Sequence, residues 1–182
     1  MVILGVDPGT LITGYGVVRH VANRTRVLEC GVVKNDSARS MPERLKAIFT
    51  KLSEVIEKYQ PDEFAIETSF YSKNAQSAMK LGHARGVSLL AAANSDIPTS
   101  EYSPREVKKA VVGSGAASKE QVRFMVKTLL KMKASPALYD SSDALAVALC
   151  HLHRISRAER RFRDWRSYVD AHPDKVVRRL GR

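Results

Sequence analysis

The sequence predicts an α/β fold, a mixed sheet of an antiparallel meander followed by parallel strands, with helices on both faces. Three observations carry this. Three strand-like runs open the chain, strand and helix patterns alternate after them, and the longest helical patterns are apolar enough to pack on a sheet. At 182 residues with 44% hydrophobic residues, the chain is sized for one domain with a sizeable core.

Val2-Ile3-Leu4-Gly5-Val6-Asp7 is a short apolar run that stops at Asp7-Pro8-Gly9-Thr10. Pro presets φ and Gly accepts positive φ, so this is turn chemistry. Gly14–Val18 and Arg26–Val33 read as the next two strands, and glycines within the second predict close approach of another backbone or a ligand. A helix follows with Ser40 as N-cap, Pro42 in its first turn and Glu43 three residues after the cap. Leu45, Ile48, Phe49, Leu52, Val55, Ile56 and Tyr59 recur at helical spacing, and Pro61 ends the run. Phe64-Ala65-Ile66 reads as a buried strand running into Glu67. Beyond it come a helix over Asn74–Ala93, a strand over Pro98–Tyr102, and helices over Pro104–Val112, Ser118–Lys131 (capped by Ser118) and Tyr139–Ile155. The chain therefore divides into a domain at 1–155 and a basic, weakly apolar tail at 156–182.

Charge narrows the function. There are 30 Lys plus Arg against 19 Asp plus Glu, a net charge of +11, and the last 32 residues hold 10 of those cations against 4 acids. Such a balance favours a polyanionic partner, nucleic acid before an anionic membrane surface, over an ordinary solvated surface. No apolar run approaches the ~18 residues of a membrane span, and no signal-peptide layout opens the chain. Cys30 and Cys150 are too few for a disulfide framework, which places the protein in a reducing, cytoplasmic compartment.

Four acids stand at element ends. Asp7 closes the first strand, Glu67 closes the Phe-Ala-Ile strand, and Asp140 and Asp143 share one face at the start of the last helix. Carboxylates brought together raise one another's pKa unless cations neutralise them. Hard oxygen ligands of this kind suit Mg²⁺ or Mn²⁺, and two such ions about 4 Å apart assist phosphodiester hydrolysis. Each acid also has a structural reading. Asp7 can serve as a turn-former, Asp140 as an N-cap, and Asp143 as a first-turn residue favoured by the helix dipole. Glu67 needs a partner in any case, because an acid at the end of a buried strand is costly alone. Spacing leaves both readings open.

Read as an ordered set, these residues resemble the RuvC-type Holliday-junction resolvases, the crossover-junction endodeoxyribonucleases of bacteria. The matching segments are Gly5–Thr10 with Gly14-Tyr15-Gly16, Ala65-Ile66-Glu67, Lys73-Asn74-Ala75, Ala84-Arg85-Gly86, Val107-Lys108, Gly113-Ser114-Gly115, Lys119–Val122 and Asp140–Ala146. The resemblance implies a ribonuclease-H-like fold and a homodimer that cuts symmetric strands of a four-way DNA junction. It also implies a divalent-metal site of Asp7, Glu67, Asp140 and Asp143, and cooperation with a branch-migration motor and its junction-binding subunit. Some relatives carry His at the place of Asp140, and many carry Ala within the Asp140-Ser141-Ser142-Asp143 motif. The tail after Ile155 matches no firm family motif.

DNA contacts follow from the same resemblance. Phe70 matches a Phe that wedges at the junction centre, and Lys108 and Lys119 match lysines near the scissile phosphate. An exposed aromatic can stack on an unpaired base and an ammonium is a point charge for a phosphate, although ordinary solvation also accounts for the lysines. Lys119 follows Gly-Ser-Gly-Ala-Ala-Ser, where free backbone amides favour anions. Tyr71 is expected to fold back on the core. Cys150, His151 and His153 lie too close on one helix to converge on zinc. Arg157, Arg160, Arg161, Arg163 and Arg166 fit either a DNA backbone or a solvated helix end.

Two rival classes fit the sequence less well. An actin-like phosphotransferase shares the Asp-x-Gly-Thr hairpin but needs a second domain and a second phosphate-binding hairpin. A non-catalytic junction-binding module is expected to lack at least one of the four acids. Finally, the Asn74–Ala93 helix pairs small residues (Ala75, Ala78, Gly82, Gly86, Ala93) with Met79, Leu81, Val87, Leu89 and Leu90. Leu81 and Leu89 lie away from the Met79–Leu90 side, so this helix is expected to join two copies, with Leu81 and Leu89 in the contact.

Overall fold

The computed structural model describes residues 1–68, 75–132 and 136–161, with side chains described only for 141–156 of the last segment. Its elements are β1 Val2–Asp7, β2 Ile12–Val21, β3 Arg24–Lys34, α1 Met41–Tyr59, β4 Glu63–Glu67, α2 Ala75–Ala93, β5 Thr99–Tyr102, α3 Pro104–Val112, α4 Lys119–Leu129 and α5 Pro136–Arg161. The sheet order is β3-β2-β1-β4-β5. β1 pairs antiparallel with β2 and β2 with β3, whereas β4 runs parallel to both β1 and β5. This is the expected meander followed by parallel strands.

Alternation along the strands sorts the core into two layers. Leu4 and Val6 of β1, Val17 of β2 and Phe64 and Ile66 of β4 pack with Ile48, Leu52, Val55 and Ile56 of α1 and with Ala84, Ala91 and Ala92 of α2. Ile3, Val18, Ala65 and Tyr102 face the other way. They meet Val107 and Val111 of α3, Val122 and Val126 of α4, and the Leu145–Cys150 stretch of α5. Helices thus cover both faces.

Local chemistry fixes the ends. Ser40 caps α1 with an extended backbone, and the Glu43 carboxylate accepts its N–H at 2.8 Å. Gln60, at φ 44°, turns the chain out of the helix before Pro61. Ser118 caps α4 in the same way, accepting from the Gln121 N–H at 3.3 Å. The β2–β3 turn puts Ala22 and Asn23 in succession at φ 48° and 61°, the twist that suits a two-residue hairpin.

Strands β2 and β3 run longer than the sequence predicts, because their ends pair beyond the apolar stretch. Helix α4 stops at Leu129 instead of Lys131, which turns away at φ 51°. Helix α5 starts at Pro136 and continues to Arg161, six residues past its expected end at Ile155. Ser156–Arg161 contains neither Gly nor Pro, and a polar stretch of good helix formers needs no buried face to extend a helix already nucleated.

Helix α2 offers solvent a different apolar pair from the Leu81 and Leu89 expected at the contact between two copies. Leu89 is half-buried against the α1–α2 core layer and Leu81 is also half-buried, whereas Met79 (64% exposed) and Leu90 (51%) face outward. Gly82 and Gly86 lie on that outward side with nothing within 4 Å of a Cβ built on either. The apolar face left open is the Met79–Gly82–Gly86–Leu90 stripe.

Candidate active site

The site is set by where two parallel strands end. Gly5 pairs with Ala65 and Val6 with Ile66, so the register carries Asp7 and Glu67 side by side at the carboxyl ends of β1 and β4. Asp7 follows Ile3 and Gly5 by twos, and Glu67 follows Ala65. Both therefore stand on the face covered by α5. Strand ends beside a switch in strand direction are where open α/β sheets place ligands.

Helix α5 crosses that face unusually close. A Cβ on Gly5 would collide with the Ala144 carbonyl and lie 2.8 Å from the Ala148 nitrogen, and one on Gly16 would lie 2.6 Å from a Leu145 methyl. Gly5 thus makes room for the backbone of α5, and Gly16 for the Leu145 side chain. With Ala144 and Ala148 over Gly5, the first turns of α5 lie beside Asp7. Asp143 falls within its electrostatic reach. Asp140 occupies the same helix one turn earlier, and its side chain lies outside the described residues. Ser141 and Ser142 between the two acids are buried.

Electrostatics mark Asp7 as the strained member. Burial first, and the Asp143 carboxylate second, raise its carboxyl to a pKa of about 6, with Lys119 pulling the other way. Lys119 opens α4 and holds its ammonium 3.6 Å from the Asp143 carboxylate. Glu67 is also engaged by a neighbour. Lys108 sits half-buried on α3. Phe70 and Tyr71 lie outside the described residues.

Supports absent from the sequence reading hold the Asp7 loop. The Thr13 hydroxyl, fully buried, donates to the Gly9 carbonyl at 2.6 Å and accepts from the Gly9 N–H at 3.3 Å. The Asn35 amide donates to the Thr10 carbonyl at 3.1 Å and to the Arg44 carbonyl at 3.2 Å, tying the loop to α1. Nothing in the local sequence distinguishes Thr13 and Asn35 from ordinary strand and turn residues. On β4, the Thr68 N–H donates to the Tyr102 carbonyl at 2.8 Å, fixing the strand just past Glu67.

The three helix residues considered for zinc have separate surroundings. His151 is buried between the Tyr102 hydroxyl, 2.7 Å from its Nδ1, and the Glu63 carboxylate, 3.4 Å from its Nε2. His153 Nδ1 lies 3.1 Å from the Ala110 carbonyl, and Cys150 is a buried free thiol. No described helix is long and apolar enough to cross a membrane.

The sheet is ribonuclease-H-like, with Asp7 and Glu67 at the ends of β1 and β4 under α5, an arrangement that suits a nuclease, and comparison with known proteins assigns the family. Residues 3–151 match the family model of the crossover junction endodeoxyribonuclease RuvC, and the chain belongs to this family. A RuvC of Saccharophagus degradans is 53% identical over 152 residues, covering 84% of this chain and 87% of its own. One from Chlorobium phaeobacteroides is 48% identical over 98% of this chain and all of its own. That second match runs into residues 156–182, so the tail has a counterpart in at least one relative. Among solved structures, Thermus thermophilus RuvC in complex with Holliday junction substrate superposes with a TM-score of 0.81 at 36% identity, covering 87% of this chain and 96% of that one.

Proposed function

We propose that this chain is the endonuclease that resolves Holliday junctions, hydrolysing phosphodiester bonds with divalent cations held by Asp7, Glu67, Asp140 and Asp143. The observation that carries the reading is the strand register that sets Asp7 beside Glu67 under α5, where burial first and Asp143 second push the Asp7 carboxyl up to about 6. A buried carboxyl that resists ionisation, as Asp7 does, is relieved by a hard cation, and oxygen donors of this kind suit Mg²⁺, with Mn²⁺ as a substitute. The oxygen donors are of the kind the metal takes, but Asp7, Glu67 and Asp143 alone form no ready-made three-ligand group among the described residues, so the set needs Asp140 or a phosphate oxygen of the DNA to complete it. When bound, the cations supply charge neutralisation and a more acidic water.

The chain's own residues perform the remaining tasks. Asp7 and Glu67, fixed by strand register, hold their carboxylates on one side of the scissile phosphate, and α5 brings Asp140 and Asp143 from the other. In the reaction a water oxygen forms the new bond to phosphorus, the bond to one deoxyribose oxygen breaks, and the proton lost by water balances the one gained by that oxygen. Lys119, 3.6 Å from Asp143, is placed to exchange that carboxylate for a phosphate oxygen when DNA arrives. Lys108 and Phe70 are the further DNA contacts, Phe70 as the wedge at the junction centre. Two copies joined through the Met79–Leu90 face of α2 present two equal sites to a two-fold junction and make paired, symmetric nicks. The junction-bound Thermus relative supports the substrate assignment. A non-catalytic module has no use for four retained acids.

The test is to incubate the protein and Mg²⁺ with an end-labelled synthetic four-way junction and with linear duplexes of the same arms. Paired cuts confined to the junction are expected. Equal cutting of both substrates, or none of either, overturns the reading.

A further inference from the structure

The outward face of α4 is unusual for a solvated helix. Val122 and Val126 point into the core, and opposite them Phe124 stands 68% exposed. Lys127 is exposed one turn on, and exposed Lys131 follows in the turn after the helix, two residues past Leu129. Exposing a whole aromatic ring is costly, and nothing in the core layer claims it. Among the described residues, the one side-chain hydrogen bond at Phe124 is to its carbonyl, which accepts from the Thr128 hydroxyl at 2.9 Å.

Position gives this face its meaning. The helix begins at Lys119, beside Asp143 in the acid cluster, and leads away from it. At about 1.5 Å per residue, Phe124 lies about 7 Å and Lys127 about 12 Å along the axis from Lys119. One strand of DNA carries a phosphate about every 3.4 Å of axis, so the face spans the three or four nucleotides beside the cut. Its exposed charges are Lys119, Lys127 and Lys131 against Glu120 alone. That excess suits a polyanion better than a protein surface of mixed charge.

Building on the nuclease reading above, we propose that the outward face of α4 is a track for the strand leaving the active site. Lys127 and Lys131 hold phosphates of that strand, and Phe124 stacks on a base next to the scissile phosphate. A cation–aromatic–cation pattern of this kind grips a single strand without reading its sequence. It also supplies a contact independent of Phe70, 54 residues further along the sequence.

The test uses the full-length protein in metal-free buffer and a four-way junction carrying 2-aminopurine at each nucleotide flanking the cut. Phe124→Ala is expected to weaken junction binding about tenfold and to abolish the fluorescence change at one flanking position, while Phe124→Tyr retains both. Lys127→Glu with Lys131→Glu is expected to lower the slope of log affinity against log salt by about two units. Lys46→Glu, an exposed site on α1 in the other layer, controls for net charge and is expected to leave the slope within half of that change. The proposal is overturned if Phe124→Ala binds like the wild type, if Phe124→Tyr is as weak as Phe124→Ala, or if Lys46→Glu matches the α4 lysine variants. It is also overturned if Phe124→Ala alters the protein's own association without DNA, which makes the face a protein contact. Junction cleavage by the wild type with unaltered α4 variants sinks this inference alone. A wild type that neither binds nor cuts junctions sinks the nuclease reading beneath it.

Discussion

Gly5 on β1 and Ala144 on α5 are in backbone contact, with no room between them for a Cβ. That contact sets the height of α5 above the sheet, and so the distance at which the helix delivers its acids to Asp7. Gly5→Ala is expected to push the helix away and cost about 3 kcal/mol, the upper range for overpacking. Urea unfolding measures the loss. The folded fraction is also expected to cut slowly, because Asp143 moves with the helix.

Asp7→Asn separates catalysis from stability. The Asp7 carboxyl titrates near 6 in the folded protein against 3.8 ordinarily, so folding favours its protonated form. The metal-free protein is therefore expected to lose stability as pH rises from about 4 through 6, and to stay at that lower level above. Asp7→Asn removes the cost and is expected to stabilise the metal-free protein by about 1–3 kcal/mol at pH 8. Cleavage disappears while junction binding, which rests on basic residues, persists. Thermal unfolding at pH 5 and pH 8 checks the first part, and cleavage with filter binding checks the second.

Glu29 on β3 works in the opposite sense. It accepts from Lys58 at 2.8 Å, Tyr59 at 2.8 Å and Tyr15 at 3.0 Å, locking α1 to the sheet. These bonds, Lys58 first, lower its carboxyl from 4.5 to about 2. Its contribution is thus complete above pH 4.5 and is lost as pH falls towards 2. Glu29→Gln is expected to destabilise by about 1–2 kcal/mol at pH 7, after allowance for partial exposure, with the two proteins converging near pH 2. Chemical denaturation across that range decides it.

On α2, Met79→Glu or Leu90→Glu is expected to give a folded monomer with little paired cleavage. Leu89→Glu instead damages the core, because Leu89 packs against the α1–α2 layer. Sedimentation at micromolar concentration, alongside circular dichroism, distinguishes the outcomes.

Much of this molecule is legible in its sequence where local chemistry and tertiary demand agree. Ser40 with Pro42 and Glu43 announces α1, and Pro61 closes it. Gly5 and Gly16 signal a close neighbour without saying which, and only the fold identifies it as α5. The four acids are readable as a set through family resemblance, whereas the meeting of Asp7 with Lys119 depends on packing between elements more than 100 residues apart. The outward face of α2 is not legible in the sequence because an Ala-, Gly- and Leu-rich helix has apolar residues all round, so periodicity cannot choose the buried side. The length of α5 escaped for a related reason, since a polar helical extension carries no apolar stripe.

The most direct test of the account is the rate of junction cleavage as Mg²⁺ is titrated into wild-type protein and into Asp143→Asn. The account predicts no cleavage without metal, saturable paired cutting by the wild type, and no recovery by the variant at any Mg²⁺ concentration while it still binds the junction. Metal-independent cutting by the wild type, or near-normal cutting by Asp143→Asn, would contradict it.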